Sequence, residues 1–195
     1  MKLRRMFTTY GVKGTENYLN SQKKYELFRT LIYFSISVSL LIAGWVQTGS
    51  RANLLSIIAI LGCLPASKSA VNTIMFYRFH SASKETIDAV KPHEKGLSAL
   101  YDCVFTSYKK NFEVAHVVVK DNIICGYSEN KAFDETAFYS HILDILHLDG
   151  HKEETVKVFT DLKKYIDRLD QINELEEKNH DKTVAVLDTL RNVML

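Results

Sequence analysis

From Thr30 to Ser50 the chain carries no charged residue, and only Arg51 separates this stretch from a second uncharged run, Ala52 to Ser67. No other feature constrains the fold as strongly. About twenty apolar residues make a helix long enough to cross the hydrocarbon of a bilayer. In that medium a helix satisfies its own backbone N–H and C=O groups. The second run is shorter, so its helix is expected to continue past Lys68, whose ammonium can reach back to the headgroups. Pro65 is expected to kink it, because proline has no N–H to give the residue four back. Gly49, Ser50 and Arg51 leave room only for a tight turn. The expectation is a two-helix transmembrane hairpin over residues 30–79, with spans of about 30–50 and 52–77, behind a basic segment, residues 1–29.

Charge sets the orientation. Lys2, Arg4, Arg5, Lys13, Lys23, Lys24 and Arg29 precede the first run, and Lys68 and Arg78 mark the far end of the second. Positive residues stay on the cytoplasmic side, so both termini are expected in the cytoplasm of a two-pass protein of the cell membrane. The polar, basic residues ahead of Thr30 argue against a cleaved signal peptide. Trp45 at the outer end, and Tyr25, Phe28, Phe76 and Tyr77 at the inner end, suit the two interfaces. Gly62, Ala66 and Ala70 recur every four residues, a spacing that lets a helix approach closely; packing against the chain's own first helix is preferred to a dimer contact.

The two halves differ in charge. Met1 to Arg78 holds ten Lys/Arg against two Asp/Glu, a net of +8, and Phe79 to Leu195 holds fifteen against twenty-one, a net of −6. An acidic half is a poor attractor of nucleic acid, whose phosphates demand positive charge.

Residues 80–195 read as a cytoplasmic α/β (α+β) domain, large enough for its own core. Ser83 to Leu100 is expected as a helix bent near Pro92. DCVFTS, NFEVAHVVVK and NIICGYSEN are β-branched and apolar, and Asp121-Asn122 makes a tight turn between the last two. Asp134 can cap a helix that runs to about Asp149, with Gly150 as its stop and Phe138, Ile142, Ile145 and Leu146 on its apolar face. TVKVFTD alternates as a strand does. A helix with Leu162, Ile166, Leu169 and Ile172 inward follows, and Thr183 to Leu195 reads as a last helix with Val184, Leu187, Leu190 and Met194 inward. The order α-β-β-β-α-β-α is that of an antiparallel meander extended by a crossover.

The chemistry-bearing residues are few. Cys63, Cys103 and Cys125 have neither metal nor redox spacing and read as buried free thiols. His141, Asp144, His147, Asp149 and His151 are ligand types, but a zinc site needs three or four that converge. On a helical wheel Asp144 and His147 share the polar face with Ser140, and a solvated face is the preferred reading. No Gly-rich phosphate loop, G-x-S-x-G elbow or H-E-x-x-H occurs.

One segment remains, EVAHVVVKDNIICGYSENK, Glu113 to Lys131. It reads as two strands, the second ending in Glu-x-Lys, with Glu129 and Lys131 on one face as a metal ligand and a water-orienting cation require. With its flanking elements it resembles the nuclease-related domain, a membrane-associated branch of the restriction-endonuclease-like superfamily. The resemblance implies magnesium held by an Asp on the second core strand and by the Glu of Glu-x-Lys. Glu129 and Lys131 match that motif. Ala115 stands where the family keeps its Asp. Glu113, two residues earlier on the same strand face, is the nearest substitute, and Glu94 is a candidate extra acid.

The first functional expectation is a non-enzymatic, membrane-anchored module that binds a protein partner or self-associates, without cofactor and without nucleic acid. The alternatives are a membrane-tethered magnesium-dependent nuclease using Glu113, Glu129 and Lys131, and an oligomeric membrane effector or channel with a sensing domain. The orientation can be checked directly. A reporter active only outside the cytoplasm should be silent when fused at Leu195 and active when placed at Ser50; activity at Leu195 but not at Ser50 would reverse the topology.

Overall fold

The computed structural model describes residues 13–50, 52–151 and 153–195. The chain forms two compact units, one of residues 19–80 and one that joins residues 13–18 to residues 81–195 among those described. Lys2, Arg4 and Arg5, on which the orientation rests in part, and Arg51 of the expected turn lie outside the described residues.

The first unit is a helical hairpin of α1 (Tyr18–Thr48) and α2 (Leu54–Tyr77). The helices have 31 and 24 residues. At 1.5 Å per residue they are about 46 and 36 Å long, more than a bilayer core of about 30 Å. α1 starts well before the expected Thr30. Residues 18–29 contain neither Pro nor Gly and are rich in helix formers, so the polar segment continues the apolar helix. Gly49, at φ +66°, ends α1, and its N–H bonds the Trp45 carbonyl at 2.9 Å. Asn53 caps α2 by accepting the Ser56 N–H at 2.9 Å. Pro65 lies inside α2, which runs through it unbroken.

Small residues bring the two helices together. A Cβ on Gly62 would lie 2.8 Å from Ser37 Oγ, and Ala59, Ala66 and Ser37 are buried. Thr30 Oγ1 lies 2.8 Å from Ser69 Oγ and 3.0 Å from Thr73 Oγ1, so three hydroxyls join the helices. Arg29 donates to Ser69 Oγ at 3.2 Å and pairs with Glu26. The outward faces are apolar and uncovered: Val46 is 78% exposed, Leu54 72% and Leu64 68%. Only 17% and 22% of the most apolar windows of α1 and α2 are buried, the reverse of a soluble core helix. Both helices are long and apolar enough to cross a membrane.

The second unit is α+β. Its elements are α3 (Lys84–Glu94), β1 (Ser98–Thr106), β2 (Asn111–Lys120), β3 (Ile123–Tyr127), α4 (Glu135–Leu148), β4 (Thr155–Phe159), α5 (Leu162–Glu174) and α6 (His180–Val193). α6 is the last helix expected over residues 183–195, which the seven-element order left out, and it begins three residues earlier. The sheet order is β1-β2-β3-β4, antiparallel across the first three strands and parallel between β3 and β4. α4 and α6 cover one face with Phe138, Ile142, Leu146, Val186, Leu187 and Leu190. α3 and α5 cover the other with Val90, Tyr165, Leu169 and Ile172.

Two expectations change here. Leu97 to Leu100 does not continue the helix: Lys95, at φ +42°, and Gly96, at φ +93°, stop α3, and Ser98 already pairs with Val119. In α6 Val186 is buried and Val184 is 39% exposed: the buried stripe runs through Thr183, Val186, Leu187 and Leu190, and Val184 falls outside it.

The alternation of β1 and β2 slips once, at one place. Leu100, Cys103 and Phe105 of β1 face the α4–α6 side, and so do Phe112, Val114, Val117 and Val119 of β2. Each series contains one spacing of three. Tyr101 pairs with His116 and Cys103 with Val114, so the register survives. Asp102 takes up the slip at φ +52°, and its carboxylate accepts the Ala82 N–H at 2.8 Å. Tyr101 and His116 therefore turn toward α3 and α5.

Residues 13–18 belong to this unit, which the 80–195 boundary left out. The Gly14 carbonyl accepts the Tyr101 N–H at 2.9 Å, and Lys13 Nζ donates to the Met194 carbonyl at 2.6 Å. Gly14 has φ +79°, and a Cβ there would overlap Leu100 Cδ2 and lie 3.3 Å from Met194 Cε. Gly96, at φ +93°, faces open space. Gly14→Ala should thus cost both backbone strain and overpacking, about 2–4 kcal/mol, against about 1–2 kcal/mol for Gly96→Ala. Thermal unfolding of the full chain in detergent, followed by circular dichroism, measures the difference. Equal losses would mean that residues 13–18 do not pack on β1.

Candidate functional site

β3 ends at Tyr127, so the Glu-x-Lys does not lie on a strand. Ser128 and Asn130 break it by offering the backbone other partners. The Ser128 hydroxyl donates to the Glu113 carbonyl at 2.7 Å and accepts the Asn130 N–H at 3.3 Å; Asn130 Oδ1 accepts the Ala132 N–H at 2.9 Å. Glu129 and Lys131 sit in the resulting turn, both exposed.

The Glu129 carboxylate reaches the start of α3. Its Oε1 accepts the Ser83 N–H at 3.0 Å, the Ser83 hydroxyl at 2.7 Å and the Thr86 hydroxyl at 2.6 Å. Ser83 is itself the N-cap, accepting the Thr86 N–H. A carboxylate here satisfies groups that the first helical turn leaves open and meets the positive end of the helix dipole. Burial raises the Glu129 pKa, but the Thr86 and Ser83 hydrogen bonds outweigh it and hold the group below its ordinary value.

Of the other candidates, Glu113 neighbours this turn through its carbonyl, which accepts the Ser128 hydroxyl, and Glu94 lies apart from it. Glu113 is exposed on β2, and Ala115 is half-buried against the α3–α5 core. Glu94 ends α3, eight residues beyond Thr86, or about 12 Å along the axis. Glu129 Oε1 already accepts from three protein donors and Glu94 lies about 12 Å along α3 from the residues it caps, so this set does not fit magnesium. Among the described residues no three of His, Cys, Asp and Glu are grouped to hold a metal ion. Of the zinc candidates, His141 stacks on Phe112 at 6.0 Å, Asp149 accepts the Thr189 hydroxyl, and His151 Nε2 lies 4.0 Å from Asp149 Oδ2. Cys103 and Cys125 are buried thiols, whereas Cys63 is exposed on α2. Burial pushes Cys125 up to about 12 and Cys103 higher still, so neither presents a thiolate.

Glu94 instead joins a cluster built around His116, a residue that the apolar run VAHVVV concealed. His116 Nδ1 lies 2.6 Å from the Tyr165 hydroxyl, and Nε2 lies 3.1 Å from Glu94 Oε1. The Tyr101 hydroxyl donates to the same carboxylate oxygen. The Nε2 contact with Glu94 is close but not aligned as a hydrogen bond, so the Tyr165 hydroxyl is the ring's one well-aligned partner among the described residues. Burial raises the Glu94 pKa, but its contacts with His116 and Tyr101 outweigh it and leave it lowered. Burial raises both tyrosines, most strongly Tyr165. His116 and Tyr165 are 1% and 0% exposed, so the cluster binds β2 to α3 and α5 and offers no surface to a substrate. The signal available in the sequence was the histidine itself: a polar ring among buried strand residues requires partners.

Comparison with known proteins returns nothing: no family model, no curated protein and no solved structure matches the chain.

If Glu129 acts as a cap, its effect is on stability, with a defined pH sign. Its pKa is lowered in the folded state, so its contribution is complete above the unfolded value and is lost as pH falls through the folded value. Glu129→Gln should lower stability at pH 7 by about 1 kcal/mol. The gap to wild type should close as pH drops below 4.5. Denaturant unfolding at pH 7 and pH 3 tests this; a gap that persists unchanged at pH 3 would rule the cap out.

Proposed function

We propose that the chain is a two-pass protein of the cell membrane with both termini in the cytoplasm. Its second unit works there as a non-enzymatic module that binds a protein partner or a second copy of itself. The uncovered apolar faces of α1 and α2 support the anchor, since hydrocarbon is the medium that accepts such surface. The lysine and arginine bias on both sides of the hairpin supports the orientation.

The engagement of Glu129 as the cap of α3 is the observation that carries the non-enzymatic reading. Phosphodiester cleavage with magnesium needs acidic groups whose lone pairs face the ion. Here Oε1 faces three protein donors, and Lys131 projects from a turn. The net charge of −6 over residues 79–195 also opposes a nucleic-acid polyanion.

The test uses the purified full chain with DNA and RNA in magnesium and in manganese, together with cross-linking in its native membrane. The expected result is intact nucleic acid and cross-linked adducts through the second unit. Cleavage that disappears in Glu129→Ala and Lys131→Ala would establish the nuclease reading instead. A chain that forms no adduct in its native membrane would overturn the binding reading.

A further inference from the structure

β4 is an edge strand, and its alternation divides it. Val156 and Val158 enter the α4–α6 core, while Thr155, Lys157 and Phe159 face the side of α5. α5 packs on that side through Tyr165, Leu169 and Ile172 but does not cover it completely. A groove of about 520 Å³ remains between α5 and the strands β3 and β4.

The groove has an apolar floor and charged walls. Ile123 and Phe159, both partly exposed, form the floor. Cys125, also in the lining, is 1% exposed and lies beneath these two side chains. Lys157 comes from the strand, and Lys164 and Arg168, one helical turn apart, come from α5. Asp167 stands beside them, which leaves a local net charge of +2 from these four residues. Among the described residues Lys157 and Lys164 form no salt bridge, and Lys157 Nζ rests 5.0 Å from the centroid of the Phe159 ring. Arg168 donates to Gln171 at 2.9 Å. A cluster of cations in a half-chain whose net charge is −6 is a local inversion of sign.

A second copy of β4 is a poor occupant for this edge. Lys157 is the middle residue of the five-residue strand, so antiparallel self-pairing would set it opposite itself. Like charges directly opposite destabilise a strand pair, and a lysine in an edge strand blocks such pairing. The walls call for an anion, the floor for a flat apolar body, and Asp167 for a hydroxyl or amine donor. The volume is that of a small-molecule site.

We propose that this groove binds a small organic phosphate of nucleotide size, its phosphate on Lys157, Lys164 and Arg168 and its flat ring on the floor formed by Ile123 and Phe159. The proposal goes beyond the partner-binding reading and does not depend on it, because it concerns the purified chain alone. The probe is ADP, titrated calorimetrically into the full chain in detergent, with adenosine, inorganic phosphate and an oligo-glutamate peptide for comparison. ADP should bind saturably and more tightly than adenosine or inorganic phosphate. Lys164→Glu with Arg168→Glu should weaken it by about tenfold or more, as should Lys157→Met, which keeps the strand pairing. Lys163→Glu, on an exposed position of the same helix, should leave it unchanged. No saturable ADP binding, or binding that the groove variants leave intact, overturns the proposal. Inorganic phosphate binding as tightly as ADP overturns the role of the floor, and displacement of ADP by a lower concentration of oligo-glutamate would make the groove a peptide site.

Discussion

A buried imidazole left without partners costs about 1–3 kcal/mol, and His116 is 1% exposed in the middle of the sheet. Its partners come from different elements. Glu94 is the last residue of α3, and Tyr165 lies in the first turn of α5. The ring therefore relates both helices to β2 and to each other. It can do so only because the alternation slips beside it, turning His116 away from the α4–α6 core. The slip in turn requires a residue in β1 to take a left-handed backbone, which Asp102 does at φ +52°. Asp102 then holds the Ala82 amide just ahead of α3. One polar ring, one backbone irregularity and one carboxylate are parts of a single arrangement.

The same arrangement accounts for the acidic residues that attract notice in the sequence. α3 is held at its start by Asp102 and Glu129 and at its end by Glu94. Each carboxylate has protein donors aimed at it. A helix of 11 residues is marginal on its own, so fixing both ends matters more here than in a long helix. Acidic side chains in these positions are what a short helix over a sheet needs, and that need competes with metal ligation for the same lone pairs.

Where local rules and tertiary contacts agree, the sequence is readable. Asp134 and Gly150 bracket α4 because a cap and a left-handed stop act within one turn of the residues they end. NFEVAHVVVK matches β2 residue for residue, since a long β-branched run has few other uses. The failures share a cause. Leu97 to Leu100 can be helix or strand by composition, and pairing with β2 decides it. Ser128 ends β3 through the Glu113 carbonyl, a contact 15 residues away along the chain. Residues 13–18 join the second unit through Tyr101 and Met194, across the whole length of the hairpin. His116 lies in an apolar run, and only its distant partners, Glu94 and Tyr165, reveal its place.

The charge distribution separates two kinds of anion. Mobile ions screen charges over about 8 Å at physiological ionic strength, so a ligand responds to the residues within that radius. A nucleic acid laid on the second unit spans many such lengths and meets the surface average, which over residues 79–195 is acidic. A molecule small enough to enter the groove meets Lys157, Lys164 and Arg168 with a single nearby carboxylate, Asp167. The floor beneath it, Ile123 and Phe159, is apolar, which lowers the local dielectric and strengthens each charge contact relative to the open surface. Exclusion of long polyanions and capture of short ones are thus not opposed requirements. On the proposed reading an acidic surface with a cationic cleft between α5 and β4 meets both, and it places the attraction beside the apolar contacts of Ile123 and Phe159.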